Sequence, residues 1–280
     1  MFLQGNFKGL HHIGIPVKDI NKTVSWYTNV LGFKDIHRAT IPTDNDEEII
    51  IQFLKLGNLV LEFYQLLRDE LEKVKNRPNG YINHFAIDVL DIDKTISSIQ
   101  NMVSTESVEG PYLLDNVWGK GAKYINIIGP NGEIVELSQR LDLNSTRRSK
   151  NIYNLSHIGI PSLNIIKSKE FYEHFGFNTF METEVQSASK SIKIVMLERE
   201  GITLEFYGLP DKESMPAEDG HIDHIAFDVA DIQQSFVELQ TAGFRIQEEE
   251  LIYLPCWEKG VKYFNILGPN KERIEFNQRL

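Results

Sequence analysis

The chain has 280 residues, of which 41% are hydrophobic and 25% charged, a balance typical of a folded globular protein. Its net charge of -11 at pH 7 argues against nucleic acid or an anionic membrane as a partner, because both need a basic face. Cys256 is the one cysteine, no apolar run is long enough to span a membrane, and the start lacks a signal-peptide core. The expected compartment is therefore the cytoplasm.

Four helices are predicted, each opened by a side chain that can cap its first turn. Asp19 precedes an apolar face formed by Ile20, Val24 and Tyr27, and Gly32 is placed to end the helix. The other three predicted helices follow the capping residues Asp91, Asn164 and Asp231. Tyr27 and its counterpart Tyr172 lie at core spacing, so we expect them to pack in the interior.

Short β-rich runs lie between the helices. In the first half these runs are residues 48–56, 59–66, 81–89, 121–128 and 133–139, and each has a counterpart in the second half. This order of predicted helices and strands occurs twice in the chain, and the polar segment 142–151 separates the two copies. The sequence thus predicts one domain over residues 1–141, a linker over 142–151 and a second domain over 152–280. Each domain reads as two units of a strand, a helix and further strands.

Histidine and glutamate recur at four matched positions in the two copies, all within strand-like runs. The first copy supplies His12, Glu62, His84 and Glu136, and the second supplies His157, Glu205, His224 and Glu275. The other four histidines of the chain do not recur at matched positions. Imidazole nitrogen and carboxylate oxygen together suit Zn, Ni, Co, Fe or Mn better than Ca. The pattern predicts divalent metal sites.

The two glutamates inside apolar strands carry this prediction. Glu62 and Glu205 each alternate with hydrophobic neighbours, and an ionised carboxylate buried there needs a hydrogen-bond partner, an ion pair or a cation. No lysine or arginine recurs beside them, whereas histidine does. The plainer alternative is that each histidine is a satisfied core or rim residue, and that two copies of one ancestor share residues of no function.

The residues that recur resemble those of the vicinal oxygen chelate superfamily, which includes glyoxalase I, methylmalonyl-CoA epimerase, extradiol dioxygenases and bleomycin resistance proteins. The resemblance rests on the HIGIP openings, the HFAIDV and HIAFDV strands, and the GPNGEIVEL and GPNKERIEF hairpins. It implies an α+β fold of four βαβββ modules, which form two cup-shaped mixed β-sheets flanked by helices. It also implies that the eight residues above bind metal, and that Glu136 and Glu275 act as the catalytic bases.

A full set of four ligands resembles glyoxalase I most, and implies an isomerase, epimerase or lyase acting on a small hydroxy-carbonyl metabolite through a metal-stabilised enediolate. An Fe(II) extradiol dioxygenase is the second reading, weakened because Glu62 and Glu205 would fill a position that such enzymes leave open. A resistance-type binding protein is the third, although such proteins generally lack ligands. The expected partner is a small-molecule substrate, bound by a monomer or a homodimer.

One departure from the family bears on the substrate. Glyoxalase I enzymes that use glutathione carry an arginine four residues after the first ligand and an asparagine four residues after the second. Those places hold Pro16 and Leu66 in the first half, and Pro161 and Leu209 in the second. We therefore expect a substrate other than a glutathione adduct. Three pairs recur before or on the seventh predicted strand: Trp118 and Trp257, Lys123 and Lys262, and Asn126 and Asn265. One of the two polar pairs is a candidate substrate contact, and the alternative is that the lysines face solvent and the tryptophans pack a turn.

The pairing of modules is left open by the sequence. If neighbours pair, His12, Glu62, His84 and Glu136 form one site. If the first module pairs with the fourth, His12 and Glu62 combine with His224 and Glu275, and the remaining four residues form the second site. Both arrangements complete two sites, and the linker reaches either way.

Overall fold

The computed structural model describes residues 1–43, 47–65, 67, 73–74, 77–143, 151–187 and 190–280. Its regular elements repeat the order βαβββ four times. Module 1 comprises β1 (Phe7–Val17), α1 (Ile20–Val30), β2 (Lys34–Pro42), β3 (Glu48–Leu56) and β4 (Leu59–Gln65). Module 2 comprises β5 (His84–Val89), α2 (Ile92–Ile99), β6 (Val108–Leu114), β7 (Ala122–Ile128) and β8 (Ile134–Arg140).

The second half repeats both modules. Module 3 comprises β9 (Ile152–Ser162), α3 (Ile165–His174), β10 (Asn178–Ser187), β11 (Lys190–Arg199) and β12 (Ile202–Gly208). Module 4 comprises β13 (His224–Val229), α4 (Ile232–Thr241), β14 (Ile252–Leu254), β15 (Val261–Leu267) and β16 (Arg273–Arg279). Two short 3₁₀ turns lie at Thr105–Ser107 and Lys212–Ser214. The predicted α+β architecture of four βαβββ modules is confirmed.

The modules pair across the two halves of the chain. Sheet I has the order β14-β15-β16-β13-β1-β4-β3-β2, so it joins module 1 to module 4. Sheet II has the order β10-β11-β12-β9-β5-β8-β7-β6 and joins module 2 to module 3. In each curled sheet two antiparallel central strands, β1 with β13 or β5 with β9, make the join. Of the two arrangements that the sequence allows, the structure has the one in which the first module pairs with the fourth.

The division of the chain into residues 1–141 and 152–280 therefore describes the sequence repeat, whereas each sheet takes one module from each half. The predicted linker, 142–151, lies mostly outside the described residues, which end at 143 and resume at 151. Leu66, one of the positions that distinguish the chain from glutathione-using enzymes, also lies outside them.

Each helix begins at the predicted capping residue. The Asp19 carboxylate accepts a hydrogen bond from the backbone N–H of Lys22 at 3.0 Å, which satisfies one of the free donors of the first turn of α1. Asp91, Asn164 and Asp231 do the same for α2, α3 and α4. In α1 the last turn closes at Leu31, and Gly32 follows with a positive φ of 75°.

One hydrophobic core underlies both sheets. It includes residues of all four modules, and Phe7 of β1 contacts Phe177 of module 3 with ring centroids 6.2 Å apart. Tyr27 and Tyr172 are fully buried, as their helical spacing predicts. No helix within the described part of the chain has both the length and the apolar character needed to cross a membrane.

Candidate metal centres

Eight predicted ligands meet in two groups of four on the central strands of the two sheets. Site A comprises His12 and Glu62 of module 1 with His224 and Glu275 of module 4. Site B comprises His157 and Glu205 of module 3 with His84 and Glu136 of module 2. All eight side chains are buried. Their roles as ligands and bases remain predictions, but the structure brings together every residue that the sequence selected.

Strand register explains why four distant residues converge in site A. Glu62 of β4 pairs with Gly14 of β1, and Gly14 pairs in turn with His224 of β13. In the next row His12 pairs with Ala226, which pairs with Glu275 of β16. In each row, one candidate donor lies on each side of a small residue, Gly14 or Ala226. The two rows are adjacent and span the consecutive strands β16, β13, β1 and β4.

Site B has the same register. Glu205 pairs with Gly159, and Gly159 pairs with His84. His157 pairs with Ala86, and Ala86 pairs with Glu136. The two sites are therefore copies in backbone geometry as well as in ligand type.

A glycine beneath one histidine makes room for each site. A Cβ atom added to Gly14 would lie 2.0 Å from Cε1 of His224, and one added to Gly159 would lie 2.0 Å from Cε1 of His84. Real Cβ atoms do not approach so closely, so any side chain at these positions would displace the imidazole. The sequence showed these glycines in both HIGIP segments, but their function emerges only from the strand pairing.

The donor atoms of site A lie at short mutual distances. Nε2 of His12 is 2.9 Å from Nε2 of His224 and 3.2 Å from Oε2 of Glu62. Nε2 of His224 is 3.6 Å from Oε2 of Glu62 and 3.8 Å from Oε2 of Glu275. Oε1 of Glu275 lies 3.9 Å from Nε2 of His12. Four donors therefore surround one small volume.

Site B is slightly wider between its imidazoles. Nε2 of His84 lies 3.3 Å from Nε2 of His157, and each of these nitrogens lies 3.6 Å from Oε2 of Glu205. Glu136 completes the site, with its carboxylate oxygens 3.6 Å from Nε2 of His157 and 3.8 Å from Nε2 of His84.

These distances fit a divalent cation. A metal with bonds of about 2.1 Å holds neighbouring donor atoms about 3.0 to 3.4 Å apart, depending on its coordination geometry. In each site two histidines and one glutamate have donor atoms within 4.8 Å of one another, and the second glutamate lies within 3.8 Å of both histidines. Two imidazole lone pairs facing each other repel unless a proton or a cation lies between them. The donor set and its spacing therefore suit a metal ion in both sites.

Burial makes the site carboxylates costly as anions. It raises the pKa values of Glu62 and Glu275 in site A and of Glu136 in site B. Burial acts in the same direction on Glu205, but His157 and the hydrogen bond from His84 outweigh it and lower the pKa of that carboxyl. The carboxylates thus need positive charge nearby in order to remain ionised, and the residues whose raised pKa values let them supply it are His224 in site A and His84 in site B.

The two imidazoles of site A differ in pKa, and therefore in their charge at pH 7. Burial lowers the pKa of His12 to about 3, which keeps that ring neutral at pH 7. Burial also disfavours protonation of His224, but the Asp223 carboxylate and the carboxylates of Glu275 and Glu62 together raise its pKa to about 9. Because a metal binds the neutral imidazole, binding at site A must displace a proton from His224.

A cup lies above each site. Cup A, a cavity of about 240 Å³, contains the site A ligands and a wall that is mainly apolar and aromatic. Its wall includes Ile49, Ile51, Phe53, Tyr64, Leu254, Trp257, Val261 and Tyr263. Cup B, of about 280 Å³, is lined by the matching set Leu114, Trp118, Ala122, Tyr124, Ile192, Ile194, Met196 and Tyr207.

Two of the three recurring pairs from the seventh-strand region lie in the cups. Trp257 and Asn265 line cup A, and Trp118 and Asn126 line cup B. The lysines are not among the lining residues of either cup, and Lys123 instead pairs with the Asp93 carboxylate at 3.4 Å. The tryptophans and asparagines thus line the cups, Lys123 forms a surface ion pair, and a substrate contact by the asparagines remains a prediction.

Sequence reasoning missed the residues behind the histidines. Nδ1 of His224 lies 3.1 Å from Oδ2 of Asp223, a buried carboxylate that also forms ion pairs with Arg77 and Arg273. In site B the matching position is Asn83, whose Oδ1 lies 3.0 Å from Nδ1 of His84. Asp223 directly precedes the candidate ligand His224, but asparagine stands at this position in the other copy, so the position does not recur.

Comparison with known proteins agrees with this architecture. The profile of the Glyoxalase/Bleomycin resistance protein/Dioxygenase superfamily matches residues 9–123 and 154–251. "Uncharacterized protein YwbC" of Bacillus subtilis (strain 168) is 30% identical over 133 residues, which are 48% of this chain and 98% of YwbC.

Solved structures resemble the chain along nearly its whole length. A glyoxalase I mutant from Zea mays superposes with a TM-score of 0.70 at 19% identity, covering 99% of this chain and 94% of the maize chain. A putative dioxygenase from Bacillus subtilis subsp. subtilis str. 168 gives a TM-score of 0.62 at 13% identity, covering 98% and 86% of the two chains. At these identities the likeness shows a common fold, and the chemistry has to be argued from the site.

Proposed function

Because the chain belongs to the Glyoxalase/Bleomycin resistance protein/Dioxygenase superfamily, we propose that it is a divalent-metal-dependent enzyme of the glyoxalase I type. The reaction is the isomerisation, epimerisation or lyase cleavage of a small hydroxy-carbonyl metabolite. The observation that supports it best is the pair of buried sites, in each of which the donor atoms of two imidazoles and two carboxylates lie close together beneath an open cup.

The metal, which is Ni, Zn, Co, Mn or Fe, supplies Lewis-acid stabilisation of the negative charge that develops on the substrate oxygens. In site A the ligands are His12, Glu62, His224 and Glu275. In site B the ligands are His157, Glu205, His84 and Glu136. The buried surroundings strengthen this electrostatic effect because they exclude bulk water.

Glu275 and Glu136 are the proposed bases that take a proton from the carbon beside the substrate carbonyl. Glu275 lies on β16 and Glu136 lies on β8, which are the last strands of modules 4 and 2. Burial raises the pKa of each carboxyl. A raised pKa makes a carboxylate a stronger proton acceptor at neutral pH. Oε1 of Glu275 accepts a hydrogen bond from the Asn277 side chain at 2.9 Å, which fixes the orientation of the carboxylate.

The cups favour a substrate with an apolar or thioether portion beside its oxygenated end. The walls combine aliphatic side chains with Trp257, Tyr64 and Tyr263 in cup A, and the same cavity is lined by the polar and charged side chains of site A. The glutathione-gripping positions of related enzymes hold prolines and leucines in this chain, so we propose a substrate that is not a glutathione adduct. Both cups are complete within one chain, which supports a monomer, and the single cysteine supports a reducing, cytoplasmic location.

A second candidate function is an Fe(II)-dependent ring-cleaving dioxygenase. By the distances above, two histidines and one carboxylate form the closest donor group in each site, namely His12, His224 and Glu62 in site A and His84, His157 and Glu205 in site B. This composition is that of a facial triad. A facial triad leaves coordination positions open for oxygen and a catechol, whereas each site has a second carboxylate, Glu275 in site A or Glu136 in site B, within 3.9 Å of its histidine nitrogens. The isomerase-type reaction is therefore the better supported proposal.

The test is proton exchange at carbon. Protein reconstituted with Ni²⁺, Co²⁺, Zn²⁺ or Mn²⁺ is incubated in D₂O with a panel of α-hydroxy ketones, α-hydroxy aldehydes and thiol hemiacetals, and NMR follows loss of the α-proton signal. We expect exchange in the wild type, about half of it in Glu136→Gln or Glu275→Gln, and none in the double variant. Metal content is measured on the same samples, and exchange is expressed per bound metal ion, so that a loss of exchange larger than the loss of metal reports the base.

Two results would contradict this proposed function. Oxygen consumption by the Fe²⁺ protein with catechols, without α-proton exchange under any metal, would assign the dioxygenase reaction instead. Exchange that persists in the double variant would show that neither glutamate is the base.

A further inference from the structure

The two metal sites share their ligands but differ in what stands behind the histidines. We propose that site A is the tighter metal site of the two, and that Asp223 is the positioning residue responsible. This inference rests on the proposed function only in that both sites bind a divalent metal.

Asp223 is held from three directions. Its Oδ2 lies 3.1 Å from Nδ1 of His224 and accepts from Nη1 of Arg273 at 3.0 Å, and its Oδ1 accepts from Nη1 of Arg77 at 3.0 Å. The Asp223 side chain is only 3% exposed. Arg273 in turn pairs with Asp219 at 2.5 Å, which anchors the guanidinium. The carboxylate therefore cannot rotate away from the imidazole without breaking two partly buried ion pairs.

An ionised carboxylate accepts hydrogen bonds and donates none. Nδ1 of His224 therefore keeps its proton in the bond to Asp223, so the proton that a metal displaces comes from Nε2, the nitrogen that faces the other donors of site A. A carboxylate behind an imidazole both fixes the ring orientation and makes the ring a more basic ligand. Asp223 thus prepares His224 for metal binding in two ways.

Site B lacks this device. Asn83 stands in the place of Asp223 and offers a neutral amide to Nδ1 of His84 at 3.0 Å, and Ile134 stands at the strand position of Arg273. A neutral amide oxygen is a weaker acceptor than a carboxylate. The same amide can also turn its NH₂ group toward the ring, so it specifies the imidazole tautomer less firmly.

The other histidine of site A, His12, also has a closer partner at Nδ1 than its counterpart in site B, His157. Nδ1 of His12 lies 2.7 Å from Nδ1 of His11, so this ring has a neighbour within hydrogen-bond distance. His157 follows Ser156 instead, and both Nδ1 of His157 and Oγ of Ser156 are buried without a hydrogen-bond partner among the described residues. Thus both imidazoles of site A are supported from behind, whereas site B has one imidazole held by an amide and one that no side chain holds.

The expected consequence is an affinity gap between the sites. Loss of a partner of this kind typically weakens metal binding by about 10- to 100-fold. We expect site A to bind Co²⁺ about 10- to 100-fold more tightly than site B in the full-length protein.

The experiment titrates metal-free protein with Co²⁺ in the presence of a chromophoric chelator, and records the d–d absorption of each step. Two separate steps are expected. His12→Ala should remove the tight step and His157→Ala the weak one, which assigns the steps to the sites. Asp223→Asn, which gives site A the side chain of site B, should weaken the tight step by about 10- to 100-fold and leave the weak step unchanged.

A reciprocal variant guards against misfolding of Asp223→Asn, whose effect on the arginines could disturb the fold. Asn83→Asp combined with Ile134→Arg copies part of the carboxylate–arginine arrangement into site B and should tighten the weak step. Metal-free melting curves of all variants show whether a change reflects folding alone. Two Co²⁺ ions bound with equal affinity in the wild type, or a tight step that survives Asp223→Asn, would overturn the proposal while leaving the metal enzyme intact. Absence of Co²⁺ binding in every protein would instead refute the proposed function itself.

Discussion

At the scale of single residues, the smallest side chains decide whether the candidate ligands can meet. Gly14 and Gly159 lie directly beneath the imidazoles of His224 and His84, and leave no space for a methyl group. The ligands themselves were predictable, because histidine and glutamate recurred in strand-like runs in both halves. The contribution of the glycines was not predictable, because it depends on β1 pairing with β13 and β5 pairing with β9.

This contact gives a prediction that addresses one site at a time. Gly14→Ala should displace His224 and remove metal from site A, while Gly159→Ala should displace His84 and remove metal from site B. Each variant is the matched control for the other, so each should bind about one metal ion fewer than the wild type when assayed by mass spectrometry after gel filtration. Full metal content in both variants would show that the imidazoles do not bind metal from these positions.

Asp223 and Arg77 show a second limit of sequence reasoning at this scale. Recurrence finds what two copies share, and it cannot find a residue whose role exists in one copy alone. Asp223 is replaced by Asn83 in the other site, and Arg77 comes from the segment between modules 1 and 2. Such residues become visible only when the fold places them behind a ligand.

At the scale of elements, helix starts and central strands were the most predictable features. All four capping residues accept the expected backbone hydrogen bond, because a cap depends on neighbours in sequence. The central strands were also predictable from local sequence, because each carries a continuous run of mostly apolar residues. Strands β2 and β6 were absent from the patterned runs, because they are edge strands with mostly exposed or half-exposed side chains and weak alternation.

A buried hydrogen bond links the elements of one sheet to those of the other. The Tyr172 hydroxyl of α3 donates to Oε1 of Glu272 at 2.9 Å, and Glu272 lies in the turn before β16 of sheet I. The backbone N–H of Asn270 donates to Oε2 of the same carboxyl at 2.8 Å. Tyr27 and Glu133 form the equivalent link on the other side of the molecule, at 2.8 Å.

Burial raises the pKa of Glu272 from 4.5 to about 7, and hydrogen bonds from Tyr172 and Asn270 only partly oppose this shift. The folded protein thus binds this proton more tightly than the unfolded chain. Its stabilising contribution is fully present below pH 4.5 and is lost as the pH rises through 7, a change of roughly 3 kcal/mol in the free energy of unfolding.

Glu272→Gln tests this link between the sheets. The variant cannot ionise at this position, so the unfolding free energy of the wild type minus that of the variant should fall as the pH rises from 4.5 to 7. Urea denaturation of metal-free protein across that range measures the difference, and the exposed Glu249→Gln serves as the control. A difference that does not change with pH would show that Glu272 is not a buried acid with a raised pKa.

At the scale of the whole molecule, the chain builds each cup from both of its halves. Module 1 joins module 4 and module 2 joins module 3, so neither half of the sequence contains a complete site in this arrangement. The sequence showed four modules and two full ligand sets but left the pairing open, because both arrangements complete two sites. The strand order resolves it: β1 is adjacent to β13, and β5 is adjacent to β9.

The central claim is that these cups are two metal centres, and metal content per chain tests it most directly. Protein purified without added metal, and again after reconstitution with Ni²⁺, Zn²⁺, Co²⁺ or Mn²⁺, is measured by plasma mass spectrometry beside the Glu136→Gln/Glu275→Gln double variant. The account predicts about two equivalents in the wild type and a marked loss in the double variant. A wild-type protein that holds no metal tightly, even after reconstitution with all four ions, would contradict it and leave the cups as binding clefts without a metal.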